Sequence, residues 1–289
     1  MTKYKLAVLT SHPIQYQAPL FQLLAKQPEI DLTVYFCWDF GIKEEGYDSG
    51  FGKKLKWDIP LLDGYRYKLL KNFSLKPSDR FLGQINPGII KELKKNNYDL
   101  IFIHGWNSVT NCLAIFFAWL FKTPIAIHGD NCFSRELTKP PLKRKIKKII
   151  LSSIFKRVDF FLYIGKEDRD FYKYHKVGDK KLIFMPFAVD NGRLIEARKS
   201  LSENRKSLRK ELDISEKAVV IVFIGKLVER KRPFDLLKAY EIITRNTRIS
   251  PNMPNNHNPK YPNLSEYNKS TNIRIVEKEL SYKLTGIFF

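Results

Sequence analysis

The chain contains little cysteine, no long hydrophobic run and comparatively few acidic residues. Its three cysteines, Cys37, Cys112 and Cys132, show no C-x-x-C spacing, and their odd number argues against a disulfide framework. The longest apolar run, from Cys112 to Phe121, has half of the ~20 residues that a bilayer-spanning helix needs. These features predict a protein of a reducing, cytoplasmic compartment that is either soluble or peripheral on the inner face of the cell membrane.

The balance of charge is strongly basic. Lysine and arginine number 51 against 30 aspartates and glutamates, which gives the 289 residues a formal net charge of +21. Such an excess favours nucleic acid, an anionic membrane or phosphorylated substrates as partners. The positive charge is spread along the chain, and no nucleic-acid-binding module or basic motif interleaved with aromatic residues accompanies it. We therefore rank nucleic-acid binding last and predict no nucleic-acid partner.

Short apolar runs alternate with helical patterns over the first 190 residues. The strands that read as continuous apolar runs, separated by helices, indicate a parallel sheet covered on both faces. This is a doubly wound α/β domain, in which ligands are expected outside the carboxyl ends of the strands. The predicted strands are Lys5–Leu9, Leu32–Phe36, Leu100–Ile103, Ile125–Ile127, Phe160–Ile164 and Leu182–Met185.

A second α/β unit is predicted to begin after this domain. A long charged helix at about 192–212 leads to an apolar run at 218–225, which predicts a strand, and Pro233 then starts a helix. We predict an N-terminal domain at 1–192, and a linker helix with the first βα unit of a second domain at 193–244.

The remainder, 245–289, is predicted to be an aberrant, disordered tail. Residues 245–272 contain eight asparagines and four prolines with almost no apolar periodicity. The alternatives are a natural disordered tail and a shifted reading frame or fragment. The abrupt change of composition inside a helix favours the latter.

Five segments at strand ends carry a family resemblance. They are Thr10–Tyr16 (TSHPIQY), Ile101–Trp106 (IFIHGW), Ile125–Asp130 (IAIHGD), Pro186–Asn191 (PFAVDN) and Phe223–Pro233 (FIGKLVERKRP). In this order and spacing they resemble glycosyltransferase family 4, whose members are retaining enzymes of the GT-B fold. The resemblance covers about residues 3–241. It implies a complete N-terminal domain, an incomplete second domain, a nucleotide-sugar donor as substrate, and neither a further cofactor nor a bound metal.

The segment around Gly225 is suited to binding a diphosphate. A glycine at a strand end lets the backbone approach a ligand closely. Two cations on one loop, Lys226 and Lys231, can neutralise the charge on a departing diphosphate, and the helix beginning near Pro233 adds the positive end of its dipole. The resemblance assigns Gly225, Lys226 and Lys231 to the donor diphosphate. The alternative is a solvated basic loop between strand and helix.

Histidines follow three of the predicted strands. His104 and His128 lie at strand ends, where ligands bind in a parallel sheet. The resemblance places His128 by the donor sugar and the reacting centre as the catalytic histidine, and it gives His104 a role in shaping the cleft. His12 and Gln15 occupy the first strand-to-helix loop, where they would contact acceptor or diphosphate. The alternatives are hydrogen-bonded structural histidines and a loop that Pro13 simply stiffens.

The chain also departs from the family pattern. Lys226 stands where the family usually has arginine, so a bidentate fork is replaced by a point charge, and Arg232 stands where the family has glycine. The family's two glutamates separated by seven residues are matched only by Glu203 and Glu211. That pair precedes the second domain on a helix rich in lysine and arginine, and we interpret it as a solvated helix face. The missing glutamate pair supports the alternative of a chain that does not turn over a donor.

A basic amphipathic segment lies at 141–157. Ile146, Ile149, Ile150 and Ile154 fall on one helical face, and lysines occupy the other. Such a helix can lie on an anionic membrane. The alternative is a helix that packs its isoleucines on the sheet and exposes a solvated basic face.

The sequence leaves two functions open. The first is a retaining hexosyltransferase that uses a nucleotide-sugar donor and a glycan or lipid-linked acceptor, in cell-surface polysaccharide biosynthesis. The second is a truncated, non-catalytic remnant that only binds acceptor or membrane.

Overall fold

The computed structural model describes residues 3–42, 46–48, 53–55, 59–216, 219–223 and 231–245. The chain divides into two compact units. One unit comprises 1–45 and 59–191, and the other comprises 46–58 and 192–289.

The strands and helices of the two units are numbered together along the chain, and those within 46–58 and 192–245 belong to the second unit. The strands are β1 (Tyr4–Thr10), β2 (Ile30–Phe36), β3 (Gly46–Asp48), β4 (Lys53–Leu55), β5 (Tyr67–Leu69), β6 (Leu100–His104), β7 (Ile125–His128), β8 (Phe160–Tyr163) and β9 (Leu182–Phe184). The helices are α1 (Ala18–Ala25), α2 (Gly88–Asn96), α3 (Val109–Leu120), α4 (Phe133–Leu137), α5 (Pro141–Phe155), α6 (Lys166–Tyr174), α7 (Asn191–Glu211) and α8 (Pro233–Arg245). Short 3₁₀ turns lie at Phe81–Gly83 and Asp179–Lys181.

Seven of the strands form one parallel sheet in the order β5-β2-β1-β6-β7-β8-β9, while β3 and β4 pair antiparallel. The predicted α/β class with a doubly wound parallel sheet is confirmed. From β1 the chain first adds strands in one direction and then, from β6, in the other. The strand order therefore reverses between β1 and β6, and sheets of this kind commonly bind ligands in a crevice outside the carboxyl ends of the strands at such a point.

The two faces of the sheet bury two separate apolar clusters. Along β6, Ile101 and Ile103 belong to one cluster, while Phe102 between them belongs to the other. On β1, Val8 shares the cluster of Phe102, and Leu9 shares the cluster of the two isoleucines. Successive side chains of a strand point to opposite faces, so a strand covered on both faces needs apolar residues at every position. This requirement explains the continuous apolar runs in the sequence.

Local signals place the ends of several helices. Ser108 accepts a hydrogen bond from the backbone N–H of Asn111 at 3.1 Å and caps α3. Pro87 immediately precedes α2, and Pro141 opens α5. Each of these residues removes or satisfies a backbone donor that the first turn of a helix leaves without an internal partner.

The strand predicted at 218–225 is wrong for the residues that can be compared. Residues 219–223 lie in no strand, and Val219, Ile221 and Val222 are largely exposed. A β-branched run becomes a strand only when a neighbouring strand accepts its hydrogen bonds and side chains cover its face. Among the described residues of 192–245, no strand provides this ladder. The helix expected at Pro233 is present as α8.

Of the helices within the described residues, none combines the length and apolarity needed to cross a membrane.

Candidate functional site

Two of the histidines singled out in the sequence lie side by side at the crevice. His104 ends β6, His128 ends β7, and the parallel register pairs these two residues directly. Their ring centroids are 5.4 Å apart, with the rings nearly perpendicular. The chain turns away after His104 through Gly105, which has a φ of 82° and donates its backbone N–H to the His128 carbonyl at 2.8 Å. A positive φ of this size favours glycine.

The first helix fixes the orientation and tautomer of His104. Gln17 immediately precedes α1, and its Oε1 accepts a hydrogen bond from the Thr10 hydroxyl at 3.1 Å. The amide nitrogen of Gln17 therefore faces His104 and donates to its Nδ1 at 3.2 Å. The proton of the neutral His104 ring is consequently on Nε2. That nitrogen is buried and has no hydrogen-bond partner within the described part of the chain.

The backbone after β9 fixes His128. Its Nε2 lies 3.2 Å from the carbonyl oxygen of Met185. A carbonyl can only accept, so Nε2 carries the proton, and the lone pair of the neutral ring is on Nδ1. At the neighbouring ends of β6 and β7 the chain thus carries a buried donor, the His104 Nε2–H, and an acceptor, the His128 Nδ1.

Burial keeps both rings uncharged at neutral pH. Desolvation and the nearby His128 lower the pKa of His104 to about 3. Desolvation also lowers the pKa of His128, while the Met185 carbonyl and the Asp130 carboxylate oppose this shift. Two neutral imidazoles recognise hydroxyl groups, which both donate and accept, rather than attracting an anion by charge.

Aromatic rings surround the histidine pair. Phe102 lies below it, with ring centroids 4.6 Å from His104 and 6.0 Å from His128. Phe187 packs edge-on against His128 at 5.2 Å and against Tyr16 at 5.4 Å. Burial and the neighbouring Asp130 raise the pKa of the Tyr16 phenol, so it remains protonated. These rings provide apolar surface beside a few polar groups, as small-molecule sites commonly do.

The other two residues predicted for the cleft lie on the loop between β1 and α1. His12 packs edge-on against Trp38 and Phe40, with centroids 5.9 and 5.5 Å away, and its Nδ1 is 2.9 Å from the Ser11 hydroxyl. Desolvation lowers the pKa of His12 to about 4, although Asp79 opposes the shift. Gln15 is half-buried on the same loop. His12 therefore belongs to an aromatic cluster at the end of β2, and the two strand-end histidines form the pair.

A hydrogen-bond network joins three loops beneath the crevice. Asp168 of α6 is buried and accepts from the backbone and side-chain nitrogens of Asn131 at 3.3 and 2.8 Å, and from the backbone of Ile164 at 3.1 Å. Asn131 in turn accepts from the Trp106 indole at 3.2 Å. The loops after β6, β7 and β8 are thereby held together, which fixes the backbone that leaves His128.

Glycine is required directly after His128. A Cβ at Gly129 would lie 2.5 Å from Asn131 Nδ2 and 2.7 Å from the Tyr172 hydroxyl oxygen. Both separations are too short for carbon against these atoms. The Gly129 position therefore lets the network approach the strand end.

The predicted diphosphate segment lies mostly outside the described residues. Gly225 and Lys226 fall in 224–230, which the structure does not describe. Lys231 is exposed two residues before α8 in the second unit. Glu203 and Glu211 both lie on α7, as the sequence predicted.

Sequence reasoning missed the residues that orient the histidines. Gln17 carries no motif, and its role depends on the start of α1 meeting the end of β6, 87 residues away in the chain. The Met185 contribution comes from its backbone, which no residue type encodes. Among the described residues, no three His, Cys, Asp or Glu side chains are grouped as a metal site would require.

No protein-family model matches the chain, and no curated protein sequence matches it. Several solved structures are similar. Anabaena HepE in complex with UDP and glucose gives a TM-score of 0.41 at 11% identity, over 69% of this chain and 50% of that one. UDP-GlcNAc 2-epimerase from Neisseria meningitidis bound to UDP-GlcNAc gives 0.38 at 14%, over 74% and 55%. The Methanocaldococcus jannaschii UDP-GlcNAc 2-epimerase gives 0.39 at 13%, over 81% and 70%. The chain spans about half the length of the HepE structure, and similarity this distant carries no functional argument.

Proposed function

We propose that the chain is the acceptor-side part of a retaining, family 4-like glycosyltransferase of the GT-B type. It would transfer a hexose from a nucleotide-sugar donor to a glycan or lipid-linked acceptor in cell-surface polysaccharide biosynthesis. The observation that supports this most strongly is the neutral pair of His104 and His128, in which His104 ends the strand that borders the reversal of strand order and His128 ends the next strand. The five strand-end segments and their family resemblance give the reaction type.

The pair is suited to holding a sugar. In this proposal a sugar hydroxyl would donate to His128 Nδ1, and the buried His104 ring, packed edge-on against His128 with ring centroids 5.4 Å apart, would hold that imidazole in place. The surrounding rings of Phe102 and Phe187 exclude water on the apolar side of a hexose. In this proposal His128 positions the donor sugar, and Tyr16 and His12 line the approach of the acceptor.

The chemistry would be carried by positioning and charge. Lys226 and Lys231, with the backbone at Gly225, would neutralise the diphosphate as its bond to the anomeric carbon breaks. The departing diphosphate oxygen would take the proton of the attacking acceptor hydroxyl on the same face of the sugar. The new glycosidic bond then retains the anomeric configuration. No covalent enzyme nucleophile and no metal is needed in this scheme.

A second candidate is a protein that binds acceptor without turnover. The observation that favours it is that the chain's only glutamates at the family spacing, Glu203 and Glu211, lie on the lysine- and arginine-rich helix α7. If this pair is a solvated helix face, as the sequence indicates, the chain lacks the family's glutamates for the donor sugar and ribose.

The test is to incubate the purified chain with a panel of nucleotide-sugars and to measure nucleoside diphosphate release. Proton NMR of any product gives the anomeric configuration, and ligand-observed NMR measures binding without turnover. Release with an axial product from an axial donor supports the transferase. Binding without release supports the second candidate, and neither binding nor release with any donor or glycan contradicts both.

A further inference from the structure

Helix α5 buries only one side against the sheet. Leu151 and Phe155 are each 2% exposed and pack in the core, whereas Ile146, Ile149 and Ile150 are 50%, 64% and 52% exposed. Of the four isoleucines predicted to share a face, Ile154 alone is packed against the core cluster. The helix therefore packs on the core mainly through Leu151 and Phe155, and of the predicted isoleucine face only Ile154 takes part.

The exposed apolar residues of α5 form a continuous stripe. Leu142, which is 71% exposed, precedes Ile146, Ile149 and Ile150 at spacings of four, seven and eight residues. Residues at these spacings lie on one face of a helix. A stripe of four large aliphatic side chains on the surface is unusual for a helix whose other face already contacts the core.

The charges around the stripe have a single sign. Between 141 and 157 the chain carries seven lysines and arginines and no aspartate or glutamate. Two of the lysines are engaged locally: Lys147 pairs with Glu136 at 2.6 Å, and Lys148 lies 4.0 Å from the Tyr174 ring centroid. Lys143, Lys145 and Lys156 are exposed on the surface of the helix and its end.

An aromatic residue of α3 borders the end of this surface. Trp119 is 46% exposed, and the guanidinium of Arg157 lies 5.0 Å from its ring centroid. Leu120 beside it is also exposed. Tryptophan with an adjacent cation is suited to the boundary between lipid headgroups and acyl chains.

We propose that α5 is a membrane-docking helix, and that its partner is the surface of an anionic lipid bilayer. The helix would lie in the plane of the interface, with the Leu142–Ile150 stripe among the acyl chains and the lysines among the headgroups. This surface is independent of whether the chain transfers a sugar. It extends the function to the place where a lipid-linked acceptor would be met.

The single sign of charge argues against other occupants. A second copy docking through the same face would bring two groups of seven cations together, and like charges across an interface oppose association. Nucleic acid would satisfy the lysines, but would leave the aliphatic stripe without a partner. An anionic bilayer accommodates both at once.

The test uses the whole chain and sedimentation with vesicles. One set of vesicles contains phosphatidylcholine with phosphatidylglycerol, and the other contains phosphatidylcholine alone. I146Q/I149Q/I150Q removes three of the four aliphatic side chains of the stripe while keeping good helix-forming residues. K143Q/K145Q/K156Q removes the exposed charges. K91Q/K94Q/K95Q removes three exposed lysines from α2 and serves as the matched control.

The wild-type chain and the α2 control should sediment with the anionic vesicles and stay in the supernatant with the neutral ones. Each α5 variant should lose at least about tenfold in partitioning. Circular dichroism confirms that each variant folds. The proposal is overturned if the wild type does not sediment with anionic vesicles, or if both α5 variants sediment with them as well as the wild type does. It is overturned too if the α2 control loses as much partitioning as the α5 variants. It is also overturned if ultracentrifugation shows a dimer that the isoleucine variant abolishes. The same holds if an oligonucleotide binds the chain at physiological salt and the isoleucine variant abolishes that binding.

Discussion

The histidine at the end of β7 owes its protonation state to its surroundings. The Met185 carbonyl holds the Nε2 proton of His128, and burial lowers the pKa of the ring. Under the proposed function, replacing this side chain removes a group that positions the sugar. We expect His128→Ala to reduce kcat by about 100-fold, as the loss of a positioning contact commonly does, with a smaller effect on KM.

Nucleoside diphosphate release measures this effect. His175→Phe is the control, because His175 is buried against Phe155 and Phe171 away from the strand ends and its variant should keep wild-type kcat. Equal losses in the two variants would show that a general change of fold, rather than the crevice, is responsible.

The glycine that follows His128 provides a prediction about stability. In Gly129→Ala the new Cβ meets Asn131 at 2.5 Å and Tyr172 at 2.7 Å, so the network must shift. We expect a loss of about 1–3 kcal/mol in the free energy of unfolding, as for other overpacked sites. Gly88→Ala at the first residue of α2 is the control, since a Cβ there meets nothing within 4 Å. Urea denaturation compares them, and an equally stable Gly129→Ala protein would show that the network can move aside without cost.

At the scale of elements, α6 contributes a buried carboxylate that fastens three loops. In Asp168→Asn one acceptor oxygen becomes a donor, which faces either the N–H groups of Asn131 or the backbone N–H of Ile164, depending on how the amide is turned. A buried donor left without an acceptor costs about 1–3 kcal/mol. Asp170→Asn on the same helix removes only the exposed ion pair with Lys166 and should cost about 0.5 kcal/mol or less. Thermal unfolding followed by circular dichroism separates the two, and similar melting temperatures would contradict the role given to Asp168.

Element ends with a local chemical signal could be predicted from the sequence. Ser108 and Pro141 start α3 and α5 because each satisfies or removes a donor within one turn. The run at 218–225 has equally strong β propensity, yet residues 219–223 form no strand, since pairing depends on other parts of the chain. The position of His104 and His128 at strand ends was also predictable locally, because each directly follows a short apolar run that predicts a strand. Their pairing with Gln17 and the Met185 carbonyl was not, because it arises only when distant elements meet.

Across the whole molecule, buried histidines make stability depend on pH. Burial lowers the pKa of His12 to about 4 and of His104 to about 3. Burial and the nearby Lys147 lower the pKa of His175 to about 4, with Glu136 opposing. The unfolded chain takes up these protons near pH 6.5 and the folded chain only below about pH 4, so stability is full above about pH 6.5 and falls as the pH drops from there. Burial raises the pKa of Asp168 to about 6, which opposes the trend between about pH 6 and 4.

Three histidines outweigh one carboxylate, so the melting temperature should fall steadily from about pH 7 to about pH 4. His175→Phe should reduce the slope, because one of the three protons is no longer excluded by folding. Calorimetry at each pH gives the slopes. A fixed ionic strength keeps the screening of the protein's positive charge, +21 at pH 7, the same at every pH. A wild-type melting temperature that is flat or rises on acidification would contradict the buried, neutral histidines.

The proposed site requires that His104 and His128 are neutral, oriented and available to a sugar ligand. The most direct measurement is an imidazole ¹⁵N–¹H NMR spectrum of the five histidines, recorded across about pH 5–8 and then with nucleotide-sugars added. His104 and His128 should both show the Nε2–H tautomer and should shift when a nucleotide-sugar binds, while His175 stays unchanged. His104 should not titrate above about pH 5, and the pKa of His128 should lie below its ordinary value because the ring is desolvated. Titration of either residue near about pH 6.5 would contradict this requirement. So would nucleotide-sugar binding that leaves the imidazole signals of both His104 and His128 unshifted.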